Sequence, residues 1–220
     1  MSDYVRPEID APVFHDAEGR IIEYGNRWPG SPPEDTYSVD THPERFAPLH
    51  SVADALITHL RDEYDVVVDE GVAVAGDLNR PSFSDVVRAV RLRPSDPRCA
   101  TLTVVFDVYP GISVHSGLLH DARYPHCGCD ACDEEWRSVA TDLEQHMFAV
   151  VSGNFREAIV PGAELPVRHA FTYPEGGRSS QSRVDEFPAD RLSRASAVLG
   201  DLPDGWAPWP RAQGASVGGA

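Results

Sequence analysis

The sequence predicts an α+β fold. The expected architecture is a four- or five-stranded antiparallel sheet, laid out as a meander, with two main helices packed on one face and a zinc knuckle at the sheet-to-helix junction. Three observations lead there. Residues 65–118 hold four short apolar segments joined by links too short for helical crossovers, so consecutive strands must run antiparallel. Residues 49–64 and the stretch beyond Cys132 instead place apolar residues at three- and four-residue steps, the period of an amphipathic helix. Finally, three of the four cysteines fall within six residues, between the last of those strands and the second helix.

Residues 1–47 carry Pro7, Pro12, Pro29, Pro32, Pro33 and Pro43 and read as an extended N-terminal arm, with a short hairpin around Glu18-Gly19. The single α+β domain is expected over residues 48–200. It opens with a helix from Leu49 to Tyr64, whose Val52, Leu56, Ile57, Leu60 and Tyr64 share one side. Strands are expected over Asp65–Val74, Ser84–Arg93, Ala100–Tyr109 and Ile112–Leu118. In the third, Leu102, Val104, Phe106 and Val108 alternate with Thr101, Thr103, Val105 and Asp107, the two-residue period of a half-buried strand. Asn79-Arg80-Pro81, Pro94 to Pro97 and Pro110-Gly111 supply the turns. A long helix is expected from Asp133, built on Trp136, Val139, Ala140, Leu143, Met147, Val150 and Val151 and stopped by Pro161-Gly162. Beyond it come an edge strand at Leu165–Phe171, a Gly/Ser loop at Glu175–Gln181, a short helix at Asp190–Leu199 and a flexible tail over 201–220.

The stretch His115 to Trp136 carries the chemistry. Thiolate and imidazole are the ligands zinc prefers, and no strand or helix needs them crowded together for packing. Cys129 and Cys132 make a C-x2-C knuckle, and Cys127 adds a third sulfur from an adjoining extended segment. Gly128 can take a positive φ and let the backbone bend round the ion. Cys132 is expected at a helix start, where Asp133, Glu134 and Glu135 suit the positive end of the dipole. A closed tetrahedral site needs a fourth ligand. His120 is the favoured one, since Tyr124-Pro125 can turn the chain back toward Cys127; His115, His126, His146 and Cys99 are the alternatives.

Leu119-His120, Tyr124-Pro125 and the run Cys127-Gly128-Cys129-Asp130-Ala131-Cys132-Asp133-Glu134 resemble a family of bacterial proteins of unknown function. Its members place a histidine ahead of a P-x-C-G-C-D-A-C-D-E motif. The resemblance extends from about Phe46 to about Ile159 and on to the Trp206-Ala-Pro-Trp-Pro ending. It implies a shared site and brings no mechanism with it.

Other chemistries fit the pattern less well. A redox C-x-x-C normally opens a helix in a thioredoxin-like βαβ setting, which an antiparallel meander does not offer. An iron–sulfur cluster normally takes four cysteines, and Cys99 is far away in sequence. The zinc deaminases use H-x-E followed far downstream by P-C-x-x-C; here His120 is followed by Asp121-Ala122 and the cysteines arrive too soon. Asp96, Asp107 and His115 are candidates for an acid–base set across a hairpin, although aspartates at turns are ordinary.

Composition bounds the function. The formal net charge is −16, and all nineteen basic residues are arginine. Such acidity disfavours nucleic acid and anionic membranes as partners, and the lack of lysine removes Schiff-base chemistry and the P-loop. No signal peptide or membrane span is legible, so a cytoplasmic location is expected, where thiols stay reduced. The sequence therefore reads as a cytoplasmic binding or interaction module with a structural zinc site, its acidity suited to a basic protein partner. The alternative is a zinc-dependent enzyme acting on a small substrate, with Glu134 or Glu135 as acid–base group.

Overall fold

Sixteen residues after a proline-punctuated arm form the first helix, α1 (Pro48–Glu63). In the computed structural model, which describes residues 4–212, its Leu49, Val52, Ala53, Leu56, Ile57 and Leu60 are buried. Pro48 sits in the first turn, where a missing N–H costs nothing.

The chain then lays down five strands in order: β1 (Val66–Glu70), β2 (Val86–Pro94), β3 (Leu102–Asp107), β4 (Ile112–Ser116) and β5 (His120–Tyr124). Each pairs antiparallel with the next. The register sets Val90 opposite Val104, Val104 opposite Val114 and Val114 opposite Ala122. Leu92, Leu102, Phe106, Ile112 and Tyr124 extend that row, and α1 and the second helix, α2 (Trp136–Val151), bury it. Val105 and Ala89, on the other face, are buried too, against Ala75 and Leu78 of the segment between β1 and β2. That segment was expected to continue β1 to Val74. Gly71, at φ 131°, ends the strand instead, and Val72–Asp77 coils into a 3-10 helix across the sheet. Val108, expected on the apolar face, lies beyond the end of β3 and is exposed.

Two segments differ from the sequence expectation more fully. The long helix ends at Val151, where Gly153 takes φ 72°, and the chain enters a second antiparallel sheet of β6 (Phe155–Ile159), β7 (Val167–Tyr173) and β8 (Gly176–Ser182). The expected edge strand is thus the central strand of that sheet, and the expected Gly/Ser loop is its outer strand. Apart from Ser182, whose burial is intermediate, the residues of β8 are exposed, so backbone pairing with β7 holds it and no apolar pattern betrays it. Phe155 and Phe171 stack at 4.6 Å and join the second sheet to the main core.

The last helix, α3 (Ala189–Gly200), falls where expected. The stretch after it does not behave as a flexible tail up to residue 212. Trp206 and Trp209 are buried, Trp209 donates its indole N–H to Ala100 O at 2.8 Å, and Trp206 donates to Glu157 Oε2 at 3.0 Å. Large aromatic area outweighs the prolines around it. Residues 213–220 of that expectation lie outside the described residues.

Candidate metal centre

β5 ends at Tyr124, the Tyr124–Pro125 peptide is cis, and the chain passes through His126 into the knuckle. The structure brings Cys127, Cys129 and Cys132 together: their sulfurs all lie within 4.8 Å of one another, with Cys127 Sγ and Cys129 Sγ 3.2 Å apart. Tetrahedral zinc with Zn–S near 2.3 Å needs sulfurs roughly 3.8 Å apart, so this donor set fits the ion. All four cysteines are free thiols. Cys99 is buried and donates to Pro208 O at 3.2 Å, away from the knuckle.

The three thiols ionise unequally. A hydrogen bond from the Cys127 thiol holds Cys129 down at about 7. Hydrogen bonds with Cys127 and Cys129 push Cys132 up to about 12. One thiolate forms readily, and its charge opposes the next; a divalent cation removes that opposition, because the thiolate is its ligand.

His120 is not brought to the sulfurs. Extended β5 carries it roughly 13 Å along the strand from Tyr124, four steps of about 3.3 Å. Its ring lies 4.9 Å from that of His169, 5.4 Å from that of His146 and 4.9 Å from that of Phe171. His115 is buried and pairs with Asp121 at 2.6 Å, while His146 is held between Ser116 and Tyr124 at 2.8 and 2.7 Å. His126, next to Cys127, contacts Glu134 at 3.9 Å and Arg178 at 3.3 Å. The acid–base set of Asp96, Asp107 and His115 is likewise not assembled, since Asp96 pairs with Arg98 and Asp107 with Ser113.

Helix α2 starts at Trp136, four residues after Cys132, so the three acids between them are not a first-turn charge cluster. Each has its own task. Asp133, in the left-handed region at φ 52°, accepts the Arg27 N–H at 2.8 Å. Glu134 accepts the backbone N–H groups of His126 and Cys127 at 3.1 and 2.8 Å, closing the turn that presents Cys127. Burial pushes the Glu134 carboxyl up, but those bonds and His126 outweigh it and hold it below its ordinary value. Glu135 is the N-cap of α2 and accepts from Ser138 N.

Gly128 is closely packed, and its φ is not positive. A Cβ there would collide with the Tyr109 hydroxyl and meet Asp40 at 3.0 Å. The N-terminal arm is packed that closely because it wraps the knuckle. Asp130 N–H donates to Val39 O at 2.7 Å and Ala131 N–H to Thr36 O at 3.1 Å. Trp28 Nε1 donates to Asp130 O at 3.1 Å, and Arg45 Nη2 to Gly128 O at 2.6 Å. The backbone of Ser38, at φ 58°, helps to lower the Cys129 thiol. The Asp130 carboxylate, nearly buried, takes both the Thr41 N–H and its hydroxyl and lies 3.5 Å from Arg27 and 3.9 Å from Arg45.

Sequence reading missed a second cluster, His120, His146 and His169. Burial lowers the three to about 2, 3 and 4, with mutual repulsion adding to it at His120. Beside them Glu157 is buried and its pKa raised by burial, against hydrogen bonds from Leu118 N, Leu119 N and Trp206. These residues lie up to 49 positions apart and share no spacing that a sequence could display.

Fold and site together define a class: an α+β protein with a three-cysteine knuckle, able to hold a metal ion, set between an antiparallel meander and a helix. Within that class the chain belongs to DUF6226, a family of unknown function, whose model matches residues 10–213. No curated protein and no solved structure matches it. No helix among the described residues is long and apolar enough to cross a membrane.

Proposed function

We propose that the chain is a zinc-stapled interaction module of the cytoplasm, in which Cys127, Cys129 and Cys132 hold one zinc ion. The observation that carries this reading is the direction of the hydrogen bonds around the knuckle. Gly128, Asp130, Ala131 and Asp133 each bond to the arm between Arg27 and Arg45. Bound there, zinc neutralises the thiolates and cross-links the turn, and with three thiolates around it the ion is a poor Lewis acid. Locking the knuckle therefore locks the arm. His120 is left out of the proposed ligand set because its ring belongs to the other histidine cluster.

The catalytic alternative asks Glu134 or Glu135 to act as a base. Both carboxylates are engaged, one with the N–H groups of His126 and Cys127, the other with the N-terminus of α2, which supports the structural role. The formal charge of −16 favours a basic protein partner over nucleic acid or anionic membrane, through complementarity and faster encounter.

Elemental analysis of protein purified under reducing conditions tests the metal: about one zinc per chain is expected, and iron, or no metal, overturns it. Chelation should lower the melting temperature, since a ligand of the native state alone adds to folding free energy. A pull-down should recover a basic protein whose association slows steeply with salt; retention of DNA or RNA at physiological salt refutes the charge argument.

A further inference from the structure

Among the described residues β5 pairs with β4 alone, and between its free side and β8 runs a cleft. Its two chambers, about 320 and 270 Å³, share His120, Arg123 and Ser180 as walls.

The cations of this cleft are unusual for the chain. Of its nineteen arginines, thirteen lie within ion-pair distance of a carboxylate among the described residues; Arg80, Arg123, Arg156, Arg168, Arg178 and Arg191 do not. Three of those six line the cleft. Among the described residues the one side-chain hydrogen bond of Arg80 is to the Glu186 carbonyl at 3.4 Å, that of Arg178 is with His126 at 3.3 Å, and Arg123 makes none. In a chain with 35 acidic residues, three exposed guanidinium groups without an ion pair converge on one hollow; the carboxylate acting on one of them is Asp107, which feels the charge of Arg123. The two acids of the wall are already used: Asp121 by His115 and by the Asn79 N–H at 2.7 Å, Glu186 by the Arg183 N–H at 2.9 Å.

The imidazoles add directional groups. His169 is about nine-tenths buried or more, with 5% of its surface exposed, and its Nε2 has no hydrogen-bond partner, the nearest carboxylate oxygen being 3.7 Å away on Glu157. His120 has ring contacts but no hydrogen bond among the described residues. A buried ring nitrogen without a partner costs free energy, which a bound polar group removes.

We propose that this cleft binds a small ligand bearing an oxyanion, a phosphate or carboxylate group, with Arg123 as the central cation, Arg80 and Arg178 at either end, and His120 and His169 as hydrogen-bonding partners. Planar guanidinium groups suit such oxygens because two N–H bonds can be made at once. The site is separate from the cysteines and stands or falls independently of the zinc reading.

The test uses full-length protein with its metal content measured in every sample. Inorganic phosphate and succinate are each titrated by calorimetry, while the ring resonances of His120 and His169 are followed by NMR. One saturable site is expected for at least one anion, with both rings shifting as it fills; which anion binds identifies the ligand's head group. Arg123→Gln should weaken binding roughly 10–100-fold, the worth of one charge-assisted contact. Arg168→Gln, which removes an arginine that is likewise exposed and unpaired but lies outside the cleft, should leave it unchanged. Failure of both anions to saturate overturns the proposal. So does equal weakening by the two substitutions, which would mark diffuse charge attraction, or binding that leaves both histidine rings unmoved.

Discussion

Replacing Asp130 by alanine removes the charge that holds the arm to the knuckle, and its cost follows from what the carboxylate touches. The side chain is 5% exposed; its cationic neighbours Arg27 and Arg45 are 17% and 2% exposed, at 3.5 and 3.9 Å. Removing one partner from a buried ionic group costs about 3–5 kcal/mol, because the opposite charges stay buried without compensation. Arg45 keeps Asp40 at 2.9 Å and the Gly128 carbonyl at 2.6 Å, which places Asp130→Ala at the lower end, about 3 kcal/mol. For a chain of this size that corresponds to a fall in melting temperature of about 6–12 °C. Asp130→Asn keeps an acceptor for Thr41 and loses only the charge, so it should fall between wild type and alanine. Thermal melts of metal-loaded protein followed by circular dichroism measure the shift. Trypsin cleavage after Arg20 and Arg27 reports whether the arm has come away. A fall below about 2 °C, the equivalent of under 1 kcal/mol, together with unchanged cleavage, would refute the account of the arm.

Metal content should separate the two clusters: Cys127→Ser should lose most of the zinc, whereas His120→Ala should retain it, and X-ray absorption should show three sulfur neighbours near roughly 2.3 Å; zinc loss in His120→Ala with an imidazole in the shell would reverse the assignment. Burial lowers His146 and His169 from 6.5 to about 3 and 4. The unfolded chain therefore takes up protons below pH 6.5 that the folded one refuses, and stability, fully present above 6.5, should fall as pH drops toward 4 and 3. Each histidine contributes up to about 1.4 kcal/mol per pH unit. Urea midpoints at several pH values measure the slope, which His146→Phe should reduce; an unchanged slope in that variant would sink the assignment. Trp209→Ala removes a buried indole and its bond to Ala100 O and should cost about 3–5 kcal/mol by chemical denaturation; a loss under about 1 kcal/mol would mean that residues 201–212 are dispensable to the core.

Local pattern was enough for much of the fold. The 3.6-residue period of Leu49 to Leu60 and of Trp136 to Val151 was legible because each helix buries one face and its side chains recur at that spacing; the alternation in Leu102 to Asp107 marked a strand, but one buried on both faces and not the half-buried one expected, because Val72–Asp77 covers its second face. The three-cysteine knuckle was legible for a similar reason: its donors lie within six residues, so no long-range fold is needed to gather them. Gly128 does not take the positive φ expected of it; what a side chain there would meet is the Tyr109 hydroxyl and Asp40, which would have to shift.

Only the tertiary structure decided the rest. β8 alternates nothing, since backbone pairing and not burial holds it. Trp206 and Trp209 looked like part of a loose ending until Ala100, Val151 and Glu157, all distant in sequence, surrounded them. His120 could be imagined beside Cys127 because seven residues separate them; extended β5 uses that length to carry the ring toward His146 and His169 instead. Sequence separation bounds how far apart two groups can be, and secondary structure decides how much of that distance is spent. The histidine cluster and the unpaired arginines beside it come from different strands, helices and sheets, and only packing one sheet edge against another brings them to one cleft.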